Sequence, residues 1–126
     1  MPEHAFTFPQ KLRLKTPAEF KAVYDRKRSV SDAVLVVYAA PNGLPHPRVG
    51  LSVSRKVGNA VVRNRWKRLL REAFRLSQHT LTAGLDFVLI PRSGPTEPTL
   101  ETITTSLAKL TADAARRVGR PTEAKP

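Results

Sequence analysis

Hydrophobic residues between positions 54 and 76 repeat with the period of an α-helix. At 100° per residue they form one continuous stripe, which is typical of a helix packed on a protein core. Asn59 precedes the stripe and can cap the helix with its side-chain oxygen, while Gly58 allows a positive φ in the preceding loop. The stripe that predicts the buried face comprises Val62, Trp66, Leu69, Leu70, Ala73 and Leu76.

The remaining surface of this predicted helix is strongly basic. Residues 55 to 75 contain eight of the 22 Lys and Arg residues and a single acid, Glu72. A cationic face without interleaved acids predicts a polyanionic partner, because solvated helices usually mix both signs; the alternative is a solvated face with a few weak i,i+4 pairs. Helical geometry places Arg65 beside Glu72 and outside the arc formed by Arg63, Asn64, Lys67, Arg68, Arg71 and Arg75.

Two further helices are predicted, one before and one after the basic helix. Residues 16 to 19, TPAE, form a capping-box sequence with proline at the first helical position, which predicts a helix to about residue 27. On its apolar side, beside Val23, we expect Phe20 to be at least half buried and Tyr24 to be partly open. A later apolar stripe predicts a helix from about residue 99 that ends before Gly119, with Leu100, Ile103, Leu107, Leu110 and Ala114 on its buried face.

Three stretches have the composition of β-strands: residues 33 to 40, 48 to 54 and 86 to 92. We expect the second to lie in the same sheet as the first and antiparallel to it, after a hairpin loop. The third is continuously apolar, as in the middle of a sheet, and the order strand, helix, strand implies a parallel crossover. The second strand alternates between an apolar face and a face of small residues. The face of small residues either admits another molecule or packs under a helix. The apolar face comprises Val49, Leu51 and Val53, and the face of small residues comprises Gly50, Ser52 and Ser54.

The charge of the chain narrows the choice of partner. With 126 residues, 40% of them hydrophobic, the chain predicts one globular domain, and its net charge of +12 indicates nucleic acid or an anionic membrane surface as partner.

No apolar run approaches the ~20 residues of a membrane span, a signal-peptide pattern is missing and cysteine is absent, which is compatible with a cytoplasmic protein. We expect a flexible arm over residues 1–11, a domain over 12–118 and a disordered tail over 119–126.

Residues that could carry protein catalysis are not grouped in the sequence. His4, His46 and His79 lie in three separate loop-like segments, without the i,i+4 spacing of a metal or acid–base pair. The ten acids are scattered, and Gly58 is not part of a P-loop. We therefore expect no catalytic residue and no metal ligand in this chain, so that any catalysis in which it takes part is supplied by a partner.

Three runs of sequence together resemble the protein subunit of bacterial ribonuclease P. They are RVGLSVSRK at 48 to 56, KVGNAVVRNRWKRLLRE at 56 to 72 and GLDFVLIPR at 84 to 92. The resemblance covers roughly residues 11 to 115 in element order, and its most specific part is the signature Arg63, Asn64, Arg65 in this context. Trp66 departs from the family pattern, which usually has a smaller aliphatic residue there, and this implies a core repacked around the indole.

The resemblance implies a particular fold. It is a single α+β domain in the order αβββαβα, with a sheet covered by helices and a left-handed βαβ crossover, like the second domain of ribosomal protein S5. General rules alone would make that crossover right-handed. The family has one strand more than the three predicted above, and it falls either at about residues 28 to 31 or within the hairpin.

The resemblance also implies that the chain is the auxiliary, RNA-binding subunit of an endoribonuclease. In that family a catalytic RNA removes the 5′ leader of precursor tRNA with Mg²⁺ held by the RNA and the substrate, while the protein binds the RNA and the leader and no membrane. The positions that match the leader cleft are Phe20, Tyr24 and Tyr38. The positions taken as facing RNA are Arg13, Arg55, Lys56, Arg63, Asn64, Arg65, Lys67, Arg68 and Arg71.

Two other classes of nucleic-acid-binding protein fit the charge and the size. A ribosomal or other structural RNA-binding protein would more often place its basic residues in long extensions than on one packed helix. A helix-turn-helix protein would need a short helix and a tight turn before the basic helix, where this sequence has a strand. A basic groove with stacking faces suits single-stranded RNA, which favours the ribonuclease P interpretation.

Overall fold

The computed structural model describes residues 10–92 and 98–118, whose helices and strands follow the predicted α+β order αβββαβα. Short 3-10 turns occur at Gln10–Leu12 and Arg55–Val57. Most of the predicted arm, the predicted tail and nearly all of the loop at 93–98 lie outside the described residues. The helices are α1 (Pro17–Asp25), α2 (Ala60–Ser77) and α3 (Leu100–Val118), and the strands are β1 (Ser29–Ser31), β2 (Leu35–Pro41), β3 (Arg48–Leu51) and β4 (Leu85–Pro91).

The four strands form one sheet in the order β1-β2-β4-β3. β4 lies in the interior, as its continuous apolar sequence predicts; it is antiparallel to β2 and parallel to β3, so that β3, α2 and β4 form the predicted crossover. β2 and β3 run in opposite directions, but β4 pairs with both and separates them, so the segment between them is not a hairpin. The additional strand of the family is β1, at the first of the two predicted positions.

Helices α2 and α3 pack together on one face of the sheet and enclose the larger part of the core. Trp66 is buried there, as predicted, together with Leu70 and Ala73. Two details of the predicted stripe are wrong, since Leu76 is 46% exposed and Phe74, which the stripe omits, is fully buried. The buried arc of α2 is turned toward Phe74 because the helix packs against α3.

Helix α1 packs on the opposite face of the sheet, where it forms a smaller apolar cluster. Its start is the predicted capping box: Thr16 Oγ1 accepts from Glu19 N at 3.1 Å, and Glu19 Oε1 accepts from Thr16 N at 3.1 Å. Hydrogen bonds from Lys15 N and Thr16 N lower the pKa of Glu19 below its ordinary value. The helix ends at Asp25, slightly before the predicted end.

Gly50 of β3 lets α1 approach the sheet closely. A Cβ at this position would lie 2.5 Å from Phe20 Cζ and 3.0 Å from Leu14 Cβ. Of the two interpretations of the small residues on this strand, packing under a helix is therefore correct at Gly50. The glycine sets the separation between α1 and β3 and, with it, the position of the half-buried Phe20 ring.

Arg48 joins α1, β3 and β4 through charged hydrogen bonds. Its Nη2 and Nε donate to Asp86 Oδ2 and Oδ1 at 2.7 and 2.9 Å, and its Nη1 donates to Glu19 Oε2 at 3.1 Å. Asn42 Nδ2 also donates to Asp86 Oδ1, at 2.8 Å. The bidentate hydrogen bonds to Asp86 raise the pKa of Arg48. These contacts hold the start of α1 against the sheet.

Candidate nucleic-acid interface

The segment before α2 presents two cations and defines where the helix begins. The 3-10 turn carries the exposed side chains of Arg55 and Lys56. Gly58 follows with a φ of 147°, and a Cβ there would lie 2.8 Å from Val62 Cβ. Asn59 caps the helix, as predicted, by accepting from Val62 N at 3.0 Å. The positions of Arg55 and Lys56 are therefore fixed relative to the first turn of α2.

The cations of α2 divide into two groups, and the first lies on the outer surface of the helix. There Asn64, Arg65 and Arg68 line a pocket of about 500 Å³ together with Val61. Val61 is 76% exposed although it is apolar. The predicted arc excluded Arg65, but the structure brings it into the same pocket as Asn64 and Arg68, so the arc is too narrow.

The second group lies beside β3, at the edge of the sheet. Lys67 and Arg71 line a pocket of about 250 Å³ together with Arg13 and Phe20. Arg13 is held there because the chain before α1 forms a parallel bridge to β3 at Val49. This edge pocket places the cations of α2 beside the Phe20 ring of α1. It therefore contains both residues that were predicted to face RNA and a residue that was predicted to line the leader cleft.

Two arginines of α2 differ from ordinary surface cations. The Arg75 side chain forms an ion pair with Glu72 within the same helix, and the hydrogen bond lowers the pKa of Glu72. Arg75 is therefore largely neutralised by its neighbour. Arg63 is partly buried, and its Nε has no hydrogen-bond partner within residues 10–92 and 98–118. This Nε atom is itself shielded from solvent, so in this conformation it is not open to a nucleic-acid partner.

The three aromatic residues predicted for the leader cleft share one cluster between α1 and the sheet. Tyr24 of α1 and Tyr38 of β2 meet edge to face, with ring centroids 5.1 Å apart and 89° between the ring planes. Phe20, Tyr24 and Tyr38 are all half-buried, whereas the neighbouring Val23 and Val88 are buried. Each of these side chains is thus partly packed and partly accessible.

The surface of the sheet continues beyond Tyr38. Val36 of β2 and Ile90 of β4 lie directly opposite each other and are half-buried. Arg92 follows Ile90 by two residues, so strand alternation places it on the same face, and it is exposed. None of these three residues is among the site residues predicted from the sequence. The alternation of residues 88, 90 and 92 could have indicated that Ile90 and Arg92 lie on the same face of the sheet as Val88.

The part of the chain that the structure describes contains neither a candidate metal-ion site nor a candidate membrane-spanning helix. There, no group of three or more His, Cys, Asp and Glu residues is placed to hold a metal ion. Two acids at the contact of α1 with the sheet, Glu19 and Asp86, are already bound to Arg48. Of the helices described, none is both long enough and apolar enough to cross a membrane.

Comparison with known proteins identifies the family. The sequence profile described as Ribonuclease P matches residues 8–115. The chain belongs to the ribonuclease P protein family. The ribonuclease P protein component of Caldanaerobacter subterraneus is 45% identical over 98 residues, which cover 78% of this chain and 84% of the relative. The ribonuclease P protein component of Photorhabdus laumondii is 43% identical over 104 residues, which cover 82% of this chain and 87% of the relative.

A solved ribonuclease P protein has the same fold. It is a mutant of the Staphylococcus aureus ribonuclease P protein with defective mRNA degradation activity, and its sequence is 35% identical to this chain. The two structures match with a TM-score of 0.75 over 83% of this chain and 89% of the other. The present chain is thus the auxiliary subunit of an endoribonuclease of tRNA processing, as predicted from the sequence. The alternative of a ribosomal or other structural RNA-binding protein with no role in cleavage is not favoured.

Proposed function

We propose that this ribonuclease P protein binds the ribonuclease P RNA through the cations of α2 and of the 3-10 turn, and binds the 5′ leader of precursor tRNA between α1 and the sheet. The edge pocket carries the proposal, because Lys67 and Arg71 of α2 meet Phe20 of α1 there. A strand of RNA can pass from cations that bind phosphates to rings that stack bases without leaving this surface. The proposed location of the activity is the cytoplasm.

The outer surface of α2 suits the folded RNA. Its arginines neutralise phosphates, and the Asn64 amide offers both a donor and an acceptor to a base edge or a ribose hydroxyl. Arg13, Lys67 and Arg71 lie where the RNA and the leader would meet. The exposed residues of the proposed RNA surface are Arg55, Lys56, Asn64, Arg65, Arg68 and Arg71.

The cleft between α1 and the sheet suits a single-stranded leader. Single strands bind where bases stack on aromatic rings beside a positively charged groove. In the edge-to-face contact of Tyr24 with Tyr38, each ring keeps at least one face outside the contact. Phe20, in the edge pocket with Lys67 and Arg71, places a third ring next to the cations. The leader would therefore run from the edge pocket toward the two tyrosines.

The chemistry of cleavage is assigned to the RNA with Mg²⁺. The acids Glu19, Asp86 and Glu72 are engaged by arginines, and a metal-binding group is missing from the described ranges. Mg²⁺ held by the RNA and the substrate would stabilise the charge that develops on the reacting phosphate. The protein's part is to bind the leader and to screen the repulsion between two polyanions.

The stacking residues provide the test of this proposal. Tyr24→Ala or Tyr38→Ala should weaken binding of leader-bearing precursor tRNA by about 1–3 kcal/mol, the contribution of one base–aromatic stack, and leave mature tRNA nearly unaffected. Binding is measured with the protein assembled on a bacterial ribonuclease P RNA, and Tyr38→Phe is the matched control because it keeps the ring. Equal losses for both ligands, with a lowered melting temperature, would show that the rings act only as core.

A further inference from the structure

Lys27 has an unusual backbone conformation directly after α1. Its φ is 57°, and within residues 10–92 and 98–118 it is the one residue other than glycine with a positive φ. The position after a helix end in this conformation is usually occupied by glycine or asparagine, because a Cβ is unfavourable there. A lysine at this position keeps a cationic side chain where the backbone alone would prefer glycine. Such an outlier calls for a functional explanation.

The backbone around Lys27 is anchored beside the two tyrosines of the cleft. Lys27 N donates to Tyr24 O at 2.9 Å. The next residue, Arg28, accepts from Ala39 N through its carbonyl at 3.1 Å, and Ser29 lies opposite Tyr38 in the sheet. Lys27 is therefore fixed in the connection from α1 to β1, next to the Tyr24–Tyr38 pair.

The charge of Lys27 is not neutralised by the protein in the ranges described. Its side chain is exposed and forms no ion pair there. The nearest acid in sequence, Asp25, is bound to Lys21 Nζ at 2.7 Å. Arg26 is also exposed. A cation that lies beside a stacking site and lacks an acidic partner is placed to bind an anion.

This end of the cleft is opposite the edge pocket. In the strand order β1-β2-β4-β3, the edge pocket lies beside β3, whereas Lys27 leads into β1. Three inter-strand spacings of ~4.8 Å separate the two outer strands, or about 14 Å in total. Cations thus stand at both ends of an aromatic cleft, which is the arrangement expected for a strand that crosses the sheet and continues past the tyrosines.

We propose that Lys27 binds a backbone phosphate of the precursor-tRNA leader, beyond the nucleotides that stack on Tyr24 and Tyr38. This inference rests on the proposed binding of the leader in the cleft. A phosphate contact carries no sequence information, so Lys27 would extend the binding site without selecting a base. Its contribution would begin only when the leader is long enough to reach the β1 end of the cleft.

Lys27→Gly is the variant that tests the inference, because glycine adopts the observed backbone conformation without a penalty. The melting temperature should be unchanged or higher. Binding of precursor tRNAs is measured with the holoenzyme, with leaders lengthened one nucleotide at a time and a non-hydrolysable linkage at the cleavage site. Lys27→Arg keeps the charge, and Lys109→Ala removes an equal charge from α3 on the other face of the sheet.

For short leaders and for mature tRNA, Lys27→Gly should bind like the wild type. Above a threshold length its affinity should fall about three- to tenfold, as for one charge-assisted contact at an exposed site, and equally for leaders of different sequence. The slope of log K against log salt should flatten by about 0.7. Lys27→Arg and Lys109→Ala should stay within about twofold of the wild type at every length.

Other outcomes contradict the inference in distinguishable ways. If Lys27→Gly loses no affinity at any length, or loses the same factor with mature tRNA, Lys27 does not bind the leader, while leader binding in the cleft still stands. If the wild-type holoenzyme binds leader-bearing and mature tRNA equally, the proposed function and this inference both fail.

Discussion

Arg48 shows how one side chain determines the geometry of the cleft. It binds Glu19 at the start of α1 and Asp86 on β4, and the side chain of Asp86 is only 8% exposed. Arg48 is itself 22% exposed, so the pair is shielded from water more than an ordinary surface ion pair. The position of α1 over the sheet, and with it that of the aromatic rings, depends on this contact.

Replacing Arg48 by methionine should therefore lower the free energy of unfolding by about 3 kcal/mol, because it leaves the charge of Asp86 buried without its main partner. Urea unfolding measures the change. The matched control is Lys21→Met, which breaks an exposed pair with Asp25 and should cost less than about 1 kcal/mol. A small and equal loss for both variants would show that the Arg48 contacts do not hold α1.

Glu19 makes the stability of the contact between α1 and the sheet dependent on pH. Hydrogen bonds from Lys15 N and Thr16 N, and then the charge of Arg48, lower its pKa below the ordinary value of 4.5. A carboxylate with a lowered pKa contributes stability that is present above its unfolded pKa and is lost as pH falls through the folded pKa. The wild type should thus lose more stability than Glu19→Gln as pH falls below about 4.5. Parallel stability curves for the two proteins would contradict this.

The contact of α1 with β3 is a close fit between two elements. A Cβ on Gly50 would lie 2.5 Å from the Phe20 ring, so Gly50→Ala should cost about 1–3 kcal/mol by overpacking. Phe20→Leu should relieve part of that cost, and a double-mutant cycle should give a coupling energy of about 1 kcal/mol. Additive effects would mean that Phe20 does not limit the approach of α1 to the sheet.

The basic surface of α2 predicts a strong dependence of RNA binding on salt. Each neutralised phosphate contributes about −0.7 on a single strand, or about −0.9 on a duplex, to the slope of log K against log salt. Arg68→Ala should flatten the slope by about that amount, whereas Arg75→Ala, which removes an arginine already paired with Glu72, should change it little. Affinity that hardly varies with salt, or equal effects of the two variants, would contradict the role given to this surface.

The sequence predicted local features of the molecule better than distant ones. The capping box at Thr16 and the N-cap at Asn59 depend on neighbours within three residues, and both are confirmed. The wrong face assignment of Leu76 and Phe74 arose because the packing of α2 against α3 joins distant parts of the chain. For the same reason, the separation of β2 from β3 by β4 was not visible in the sequence.

The candidate site shows the same division between local and distant features. Helical periodicity placed most of the α2 cations on one face, but it excluded Arg65, which shares a pocket with Asn64 and Arg68. The edge pocket could not be read from periodicity, because it requires Arg13 to pair with β3 and Phe20 to lie over Gly50. Contacts between elements, and not the pattern within one element, create this part of the site.

The molecule as a whole is a binding subunit, and reconstitution tests that claim most directly. Purified, nuclease-free protein is incubated with precursor tRNA over a range of Mg²⁺ concentrations, with and without a bacterial ribonuclease P RNA. The protein alone should leave the precursor intact at every Mg²⁺ concentration, since the described residues offer no metal site. With the RNA, it should restore cleavage at the mature 5′ end and lower the Mg²⁺ concentration required. Specific cleavage by the protein alone, abolished by a point substitution, would contradict the assignment of the chemistry to the RNA.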